Sequence, residues 1–145
     1  MLLNLKSRYQ NFIQSNKLKS SKRRDLIFDY VTQTQGHFTA DHIYQEMVKI
    51  DPGIGIATVY RTIRLLVECG VLIEQTFGEK KGFFEVKDEK SRHHDHLICT
   101  SCGKITEFHC ELIENDKRRI AQQYRFKINS HKLEIYGLCS ECQQQ

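Results

Sequence analysis

Long apolar runs are missing from this chain. None of its 145 residues lie in a stretch approaching the roughly 20 apolar residues of a membrane helix, so no spanning segment is expected. Met1-Leu2-Leu3 is too short an apolar start for a signal peptide and Lys6 ends it, so a cytoplasmic location is expected. The single proline, Pro52, precedes neither of the two CxxC pairs, and the PCxxC half of the zinc deaminase pattern is therefore absent. HExxH, a glycine-rich phosphate loop and a Ser/His/Asp order are absent too. No enzyme and no small organic substrate are expected; a zinc metalloenzyme stays as a remote alternative, because His and carboxylate shells also activate water. There is no internal repeat and no low-complexity segment. Acid is missing from residues 1–24, which carry Lys6, Arg8, Lys17, Lys19, Lys22, Arg23 and Arg24. Residues 83–145 balance ten basic against ten acidic side chains, so the excess behind the net charge of +4 lies in the front half. A solvated basic face and a nucleic-acid surface both fit that placement.

What is present begins with four cysteines in two CxxC pairs, Cys99 with Cys102 and Cys139 with Cys142, separated by 36 residues. Four thiolates in two short-spaced pairs suit a tetrahedral zinc ion, and in a reducing compartment metal is favoured over disulfide. A redox dithiol is the alternative, although it needs no second pair. Cys69 and Cys110 are expected to be buried small hydrophobes. Immediately before the first pair stands His93-His94-Asp95-His96, a dense run of imidazole and carboxylate. Thiolate and imidazole/carboxylate sets so close together suggest two metal tasks, one structural and one exchangeable. Two small domains with thin cores would gain from a metal staple or a dimer interface.

Periodicity supplies the frame. Leu5, Tyr9, Phe12 and Ile13 mark a first helix; Ser20-Ser21 offers caps for a second, with Leu26, Ile27, Tyr30 and Val31 on one face and Gly36 at its end. Thr39 caps a third helix with Ile43 and Met47 inward, and Pro52, Gly53 and Gly55 form a turn. A fourth helix runs from about Ile56 to Cys69, striped by Val59, Ile63 and Leu66 and stopped by Gly70. The segments 71–75 and 83–86 read as strands around the loop 78–82. Helices followed by such a hairpin describe a winged helix-turn-helix with the fourth helix as its recognition helix. The polar stretch 87–92 reads as a hinge. Beyond it, strands are expected at 97–99, 105–108, 126–128 and 133–136, a helix over 111–124, and fraying at 143–145. The fold class is thus α+β: a winged-helix DNA-binding domain over 1–86, the hinge, and a metal-binding α/β dimerisation domain over 93–145.

Gly55-Ile56-Ala57-Thr58-Val59-Tyr60-Arg61, followed by His93-His94-Asp95-His96-Leu97-Ile98-Cys99-x-x-Cys102-Gly103-Lys104, resembles the ferric uptake regulator family of metal-responsive bacterial repressors. The similarity runs from about Leu18 to Cys142. It implies a homodimer, with pairing into tetramers left open, that closes two DNA-reading domains onto a palindromic operator when loaded with metal. The family usually has proline where this chain has Arg23; the same helix with more positive charge is expected there.

The resemblance assigns structural zinc to Cys99, Cys102, Cys139 and Cys142. It assigns the regulatory metal to His37, Glu85, His94, His96 and Glu107. Nitrogen and oxygen ligands of this mix suit Fe²⁺, with Mn²⁺, Co²⁺ or Zn²⁺ as substitutes. An ion shared by both domains would bind the closed state better than the open one and shift the population. Glu107 stands where peroxide-sensing relatives typically have aspartate, which favours iron; no cysteine is apparent in the sensing set, unlike in zinc sensors. Peroxide-, zinc- or manganese-sensing repression remains the alternative. His93, Asp95, Glu114 and His131 form an additional metal set or a hydrogen-bonded polar cluster; strand alternation turns His93 and Asp95 away from His94 and His96. His42 reads as exposed helix surface and His109 as polar surface.

On the fourth helix, Ala57, Thr58, Tyr60 and Arg61 offer a methyl, a hydroxyl, a ring and a guanidinium to base edges, and Arg64 meets backbone. Tyr60 could instead belong to the core. Lys19 matches the family's lysine for an A·T-rich minor groove, and Ser21 and Arg24 are expected at phosphates. The partners expected are therefore double-stranded operator DNA and a second copy of the chain, with no membrane.

Overall fold

The structure is a computed structural model and describes residues 2–78, 80–87 and 94–144. The chain divides into two compact units, 1–90 and 91–145.

The first unit runs α1 (Leu2–Ser15), α2 (Lys22–Val31), β1 (Phe38–Thr39), α3 (Ala40–Ile50), α4 (Ile56–Glu68), β2 (Leu72–Phe77) and β3 (Lys80–Val86). Two helix starts follow from short hydroxyl side chains that accept otherwise orphaned amides. Ser21 accepts from the Arg24 N–H at 3.4 Å, and Thr39 from the His42 N–H at 3.2 Å. The apolar stripe of α4 turns Val59, Ile63 and Leu66 inward, where they meet Ile27 and Val31 of α2 and Ile43 and Met47 of α3, all essentially inaccessible to water. Leu5 and Tyr9 bring α1 into the same core. The wing is a three-stranded sheet in the order β1-β3-β2, antiparallel throughout, with Phe38 opposite Phe84 and Ile73 opposite Glu85.

The second unit comprises β4 (Asp95–Cys99), β5 (Ile105–Phe108), α5 (Glu111–Gln123) and β6 (Glu134–Gly137), closed by a short 3₁₀ turn, Cys142–Gln144. Its sheet has the order β5-β4-β6, antiparallel between β4 and β5 and parallel between β4 and β6. Little apolar surface is hidden here: of the apolar side chains among its described residues only Ile98 and Cys99 are buried, and α5 buries none.

Several expectations need correction. Residues 126–128 form no strand; Arg125 at φ 51 ends the turn after α5, and Phe126 is 71% exposed. The second helix stops at Val31, capped by Thr32, so Gly36 lies five residues past its end, in the left-handed region at φ 69. Cys69 and Cys110 are half-buried rather than buried, because each stands at a helix boundary, Cys69 as C-cap of α4 and Cys110 as N-cap of α5. Of the expected hinge, 88–92 lie outside the described residues.

Candidate metal centres and nucleic-acid face

Chain topology assembles the four cysteines. Parallel pairing sets Cys99 of β4 beside Gly137 of β6, so the second CxxC emerges next to the first. Each pair is wound into a turn: the Gly103 N–H donates to the Cys99 carbonyl at 3.0 Å, with Gly103 at φ 77, and the Cys142 N–H donates to the Cys139 carbonyl at 3.0 Å. All four sulfurs lie within 4.8 Å of one another, with Cys102 Sγ and Cys139 Sγ 3.8 Å apart. A tetrahedral zinc with bonds of about 2.3 Å spaces its sulfurs about 3.8 Å apart, so the residues fit that ion. The electrostatics ask for one. The Cys102 and Cys139 amides beside Cys99 Sγ pull its thiol down to about 6. Cys142 is pushed up to about 12: Ser101 pulls it down, but the sulfurs of Cys139, Cys102 and Cys99 and burial outweigh that. One thiolate is cheap in this cluster and four are not, unless a cation of charge two sits among them. Lys104 and Glu141, 2.9 Å apart, link the two turns from outside.

Further along β4, alternation separates two sets. His94 and His96 stand with ring centroids 4.9 Å apart, and His94 Nε2 is 3.9 Å from Glu107 Oε1. Antiparallel register places Glu107 directly opposite His96. Asp95 turns to the other face, is 1% exposed, and meets α5 and the 131 loop. There Asp95, Glu114 and His131 place one ligand atom each within 4.8 Å of one another, with His131 Nε2 3.3 Å from Glu114 Oε1. His93 lies outside the described residues. Lys117, which sequence reasoning missed, reaches the same cluster: its ammonium is 2.9 Å from Glu114 Oε1 and 3.6 Å from Asp95 Oδ1. Its signal was the three-residue helical spacing from Glu114.

In the first unit, His37 directly precedes β1 and Glu85 lies in β3. Since Phe38 pairs with Phe84, the neighbouring residues His37 and Glu85 come side by side, 3.2 Å apart between Nε2 and Oε2. His37 is almost fully buried and packs edge-on against Phe77, while Gln75 donates to Glu85 at 2.9 Å. Both side chains are therefore held in place from within the unit.

The exposed face of α4 carries Ala57, Tyr60, Arg61 and Arg64, with Thr58 half-buried. Tyr60 is 39% exposed and so is no part of the core; its hydroxyl donates to Asp41 Oδ1 at 2.9 Å, a carboxylate that also raises the phenol's pKa. Lys19 is exposed in the link between α1 and α2. Arg24 is half-buried and engaged internally: it donates to the Lys19 carbonyl at 2.5 Å and to the Tyr9 hydroxyl at 3.2 Å. Arg23 stands in the first turn of α2 and pairs its charge with Asp51, 2.7 Å away.

Residues 15–136 match the sequence pattern of the ferric uptake regulator family. The chain belongs to that family. A ferric uptake regulation protein of Campylobacter jejuni is 34% identical over 143 residues, covering 97% of this chain and 90% of that protein. The Bacillus subtilis peroxide operon regulator is 33% identical over 133 residues, covering 92% and 90%. A solved structure of the Helicobacter pylori ferric uptake regulator, described as revealing three functional metal binding sites, matches with a TM-score of 0.84 at 28% identity, over 100% of this chain and 95% of that one. Within this ferric uptake regulator fold, the described residues show a thiolate cluster, an imidazole/carboxylate set and an acidic cluster with histidine. No helix among them is long and apolar enough to cross a membrane.

Proposed function

We propose that this chain is a metal-dependent transcriptional repressor of iron-uptake genes, with Fe²⁺ as corepressor and Mn²⁺, Co²⁺ or Zn²⁺ able to substitute. In this reading Cys99, Cys102, Cys139 and Cys142 hold a structural zinc ion. His37 and Glu85 supply ligands from the first unit, and His94, His96 and Glu107 supply ligands from the second, to one regulatory ion. A bound Fe²⁺ contributes a positive charge that rewards all five donors at once. The observation that carries the reading is the His37–Glu85 pair, a nitrogen and a carboxylate oxygen 3.2 Å apart at the root of the wing. Ligands fixed to the DNA-reading unit give the ion a means to bias that unit's placement. The residues of α4, with Lys19 and, at phosphates, Ser21 and Arg24, meet an A·T-rich palindrome. Asp95, Glu114 and His131, with His93, hold a further ion. The chain works in the cytoplasm as a homodimer.

The test is binding to an A·T-rich palindromic duplex selected by the protein from random duplexes, measured with Mn²⁺ and after chelation. Binding is expected to strengthen with metal by roughly 5–150-fold, the range typical of such coupling; equal affinity in both states would end the reading. The similarity to a peroxide operon regulator keeps one rival in view. Mass spectrometry of the Fe²⁺ form after peroxide decides it: one added oxygen at His37 or His94, with loss of DNA binding, favours peroxide sensing.

A further inference from the structure

A cation in the first turn of a helix faces the positive end of the helix dipole and is disfavoured there. Arg23 occupies that position in α2 and is held by a partner 28 residues away: its Nε donates to Asp51 Oδ2 at 2.7 Å, and its Nη2 approaches Oδ1 at 3.5 Å. Asp51 caps the end of α3 and shapes the turn that follows. Its Oδ1 accepts the Gly53 N–H at 3.0 Å, and its carbonyl accepts the Ile54 N–H at 3.0 Å. The guanidinium meets this turn end-on, since a Cβ on Gly53 would stand 2.8 Å from Arg23 Nη2 and 4.0 Å from Cζ. The turn leads directly into α4, whose N-cap is Gly55 and carries no side-chain cap. Ile54, 3% exposed, anchors the turn to the core beneath. With no side-chain cap at Gly55, the entry of α4 is held by the Asp51 turn that Arg23 clamps, by the buried Ile54 and by the Tyr60–Asp41 hydrogen bond.

We propose that Arg23, through Asp51, is a positioning residue for the front of α4, where Ala57, Thr58, Tyr60 and Arg61 stand, rather than a phosphate contact. This rests on the reading that α4 meets DNA. The clamp joins α2 to the end of α3 and to the 51–54 turn that leads into α4, so its loss loosens the entry to the first turn of α4 while leaving the apolar stripe of that helix in place. Base-edge contacts depend on that first turn; contacts to phosphate elsewhere do not.

The experiment is a double-mutant cycle on the full-length, metal-loaded protein with Arg23→Met, Asp51→Asn and both together, with Arg23→Lys as the conservative variant. Asp51→Asn keeps an oxygen for the Gly53 amide and removes the ion pair. Affinities are measured for the selected palindrome and for an unrelated duplex, over a range of salt, well below the melting temperature of every variant. Each single variant is expected to weaken palindrome binding about threefold to fivefold, the scale of an exposed ion pair. The double variant should weaken it no further. The unrelated duplex should be bound as before, the salt slope should be unchanged, and Arg23→Lys should retain most of the affinity. A salt slope reduced by about 0.9, with equal weakening on both duplexes, would make Arg23 a phosphate contact and overturn the proposal. So would additive losses, or a wild type that binds the palindrome with all variants unchanged. A wild type that binds no palindrome overturns the underlying reading, and this one with it.

Discussion

A cysteine sulfur needs neighbours of a particular kind before it can keep a metal. Cys99 has them: two backbone amides beside its sulfur, a buried position, and three more thiols within 4.8 Å. Because the second unit buries so little apolar surface, zinc held there is folding energy. Cys139→Ser is therefore expected to lose the tightly retained zinc ion and to lower the melting temperature of the second unit, as metal analysis and calorimetry would show; full zinc retention with unchanged melting would contradict it. The acidic cluster behaves differently at the same scale, because Lys117 already brings a positive charge to Glu114 and Asp95. Strong chelation is accordingly expected to leave one zinc per chain and remove the remaining ions, a result that metal content per subunit reads directly.

Among the elements, α4 does two jobs on opposite faces. Its inner stripe is the centre of the first unit's core, and Ile63 is 1% exposed there. Ile63→Ala should cost about 2–5 kcal/mol in unfolding free energy, and a loss well under 1 kcal/mol in a denaturant titration would mean that the core is packed elsewhere. This helix was legible in the sequence because its three- and four-residue spacing is long and uninterrupted. So were the winged helix and the two CxxC turns. The two-residue β1 was not, since Phe38–Thr39 is too short to show alternation, yet its pairing with β3 sets His37 beside Glu85. The alternation of Phe126, Lys127 and Ile128 suggested a strand that does not form; both apolar side chains are exposed and their spacing reflects an uncovered surface. Lys117, Gln75, Asp41 and the partner of Arg23 stayed hidden for a different reason: a charged or polar residue announces its type in a sequence, but not which of many opposite charges the fold brings to it.

For the whole molecule, the uncovered surface is the main physical fact. Leu112, Ile120, Tyr124, Phe126, Ile135, Tyr136 and Leu138 of the second unit are 44–76% exposed. A second copy of the chain is the occupant expected for it. Leu112→Asp together with Tyr124→Asp should convert a dimer to a monomer in light scattering and weaken palindrome binding; a wild type that is monomeric at micromolar concentration would remove that account of the surface.

In the proposed function one ion, held by His37 and Glu85 on one side and by His94, His96 and Glu107 on the other, ties DNA-reading to metal. Linkage makes the claim reciprocal: if metal tightens DNA binding by some factor, DNA must tighten metal binding by the same factor. The direct measurement is a Mn²⁺ titration of the zinc-loaded protein alone and bound to its palindromic duplex, repeated with His37→Ala. The account predicts tighter Mn²⁺ binding on DNA in the wild type and no difference in the variant. Mn²⁺ affinity that is the same with and without DNA in the wild type would contradict it.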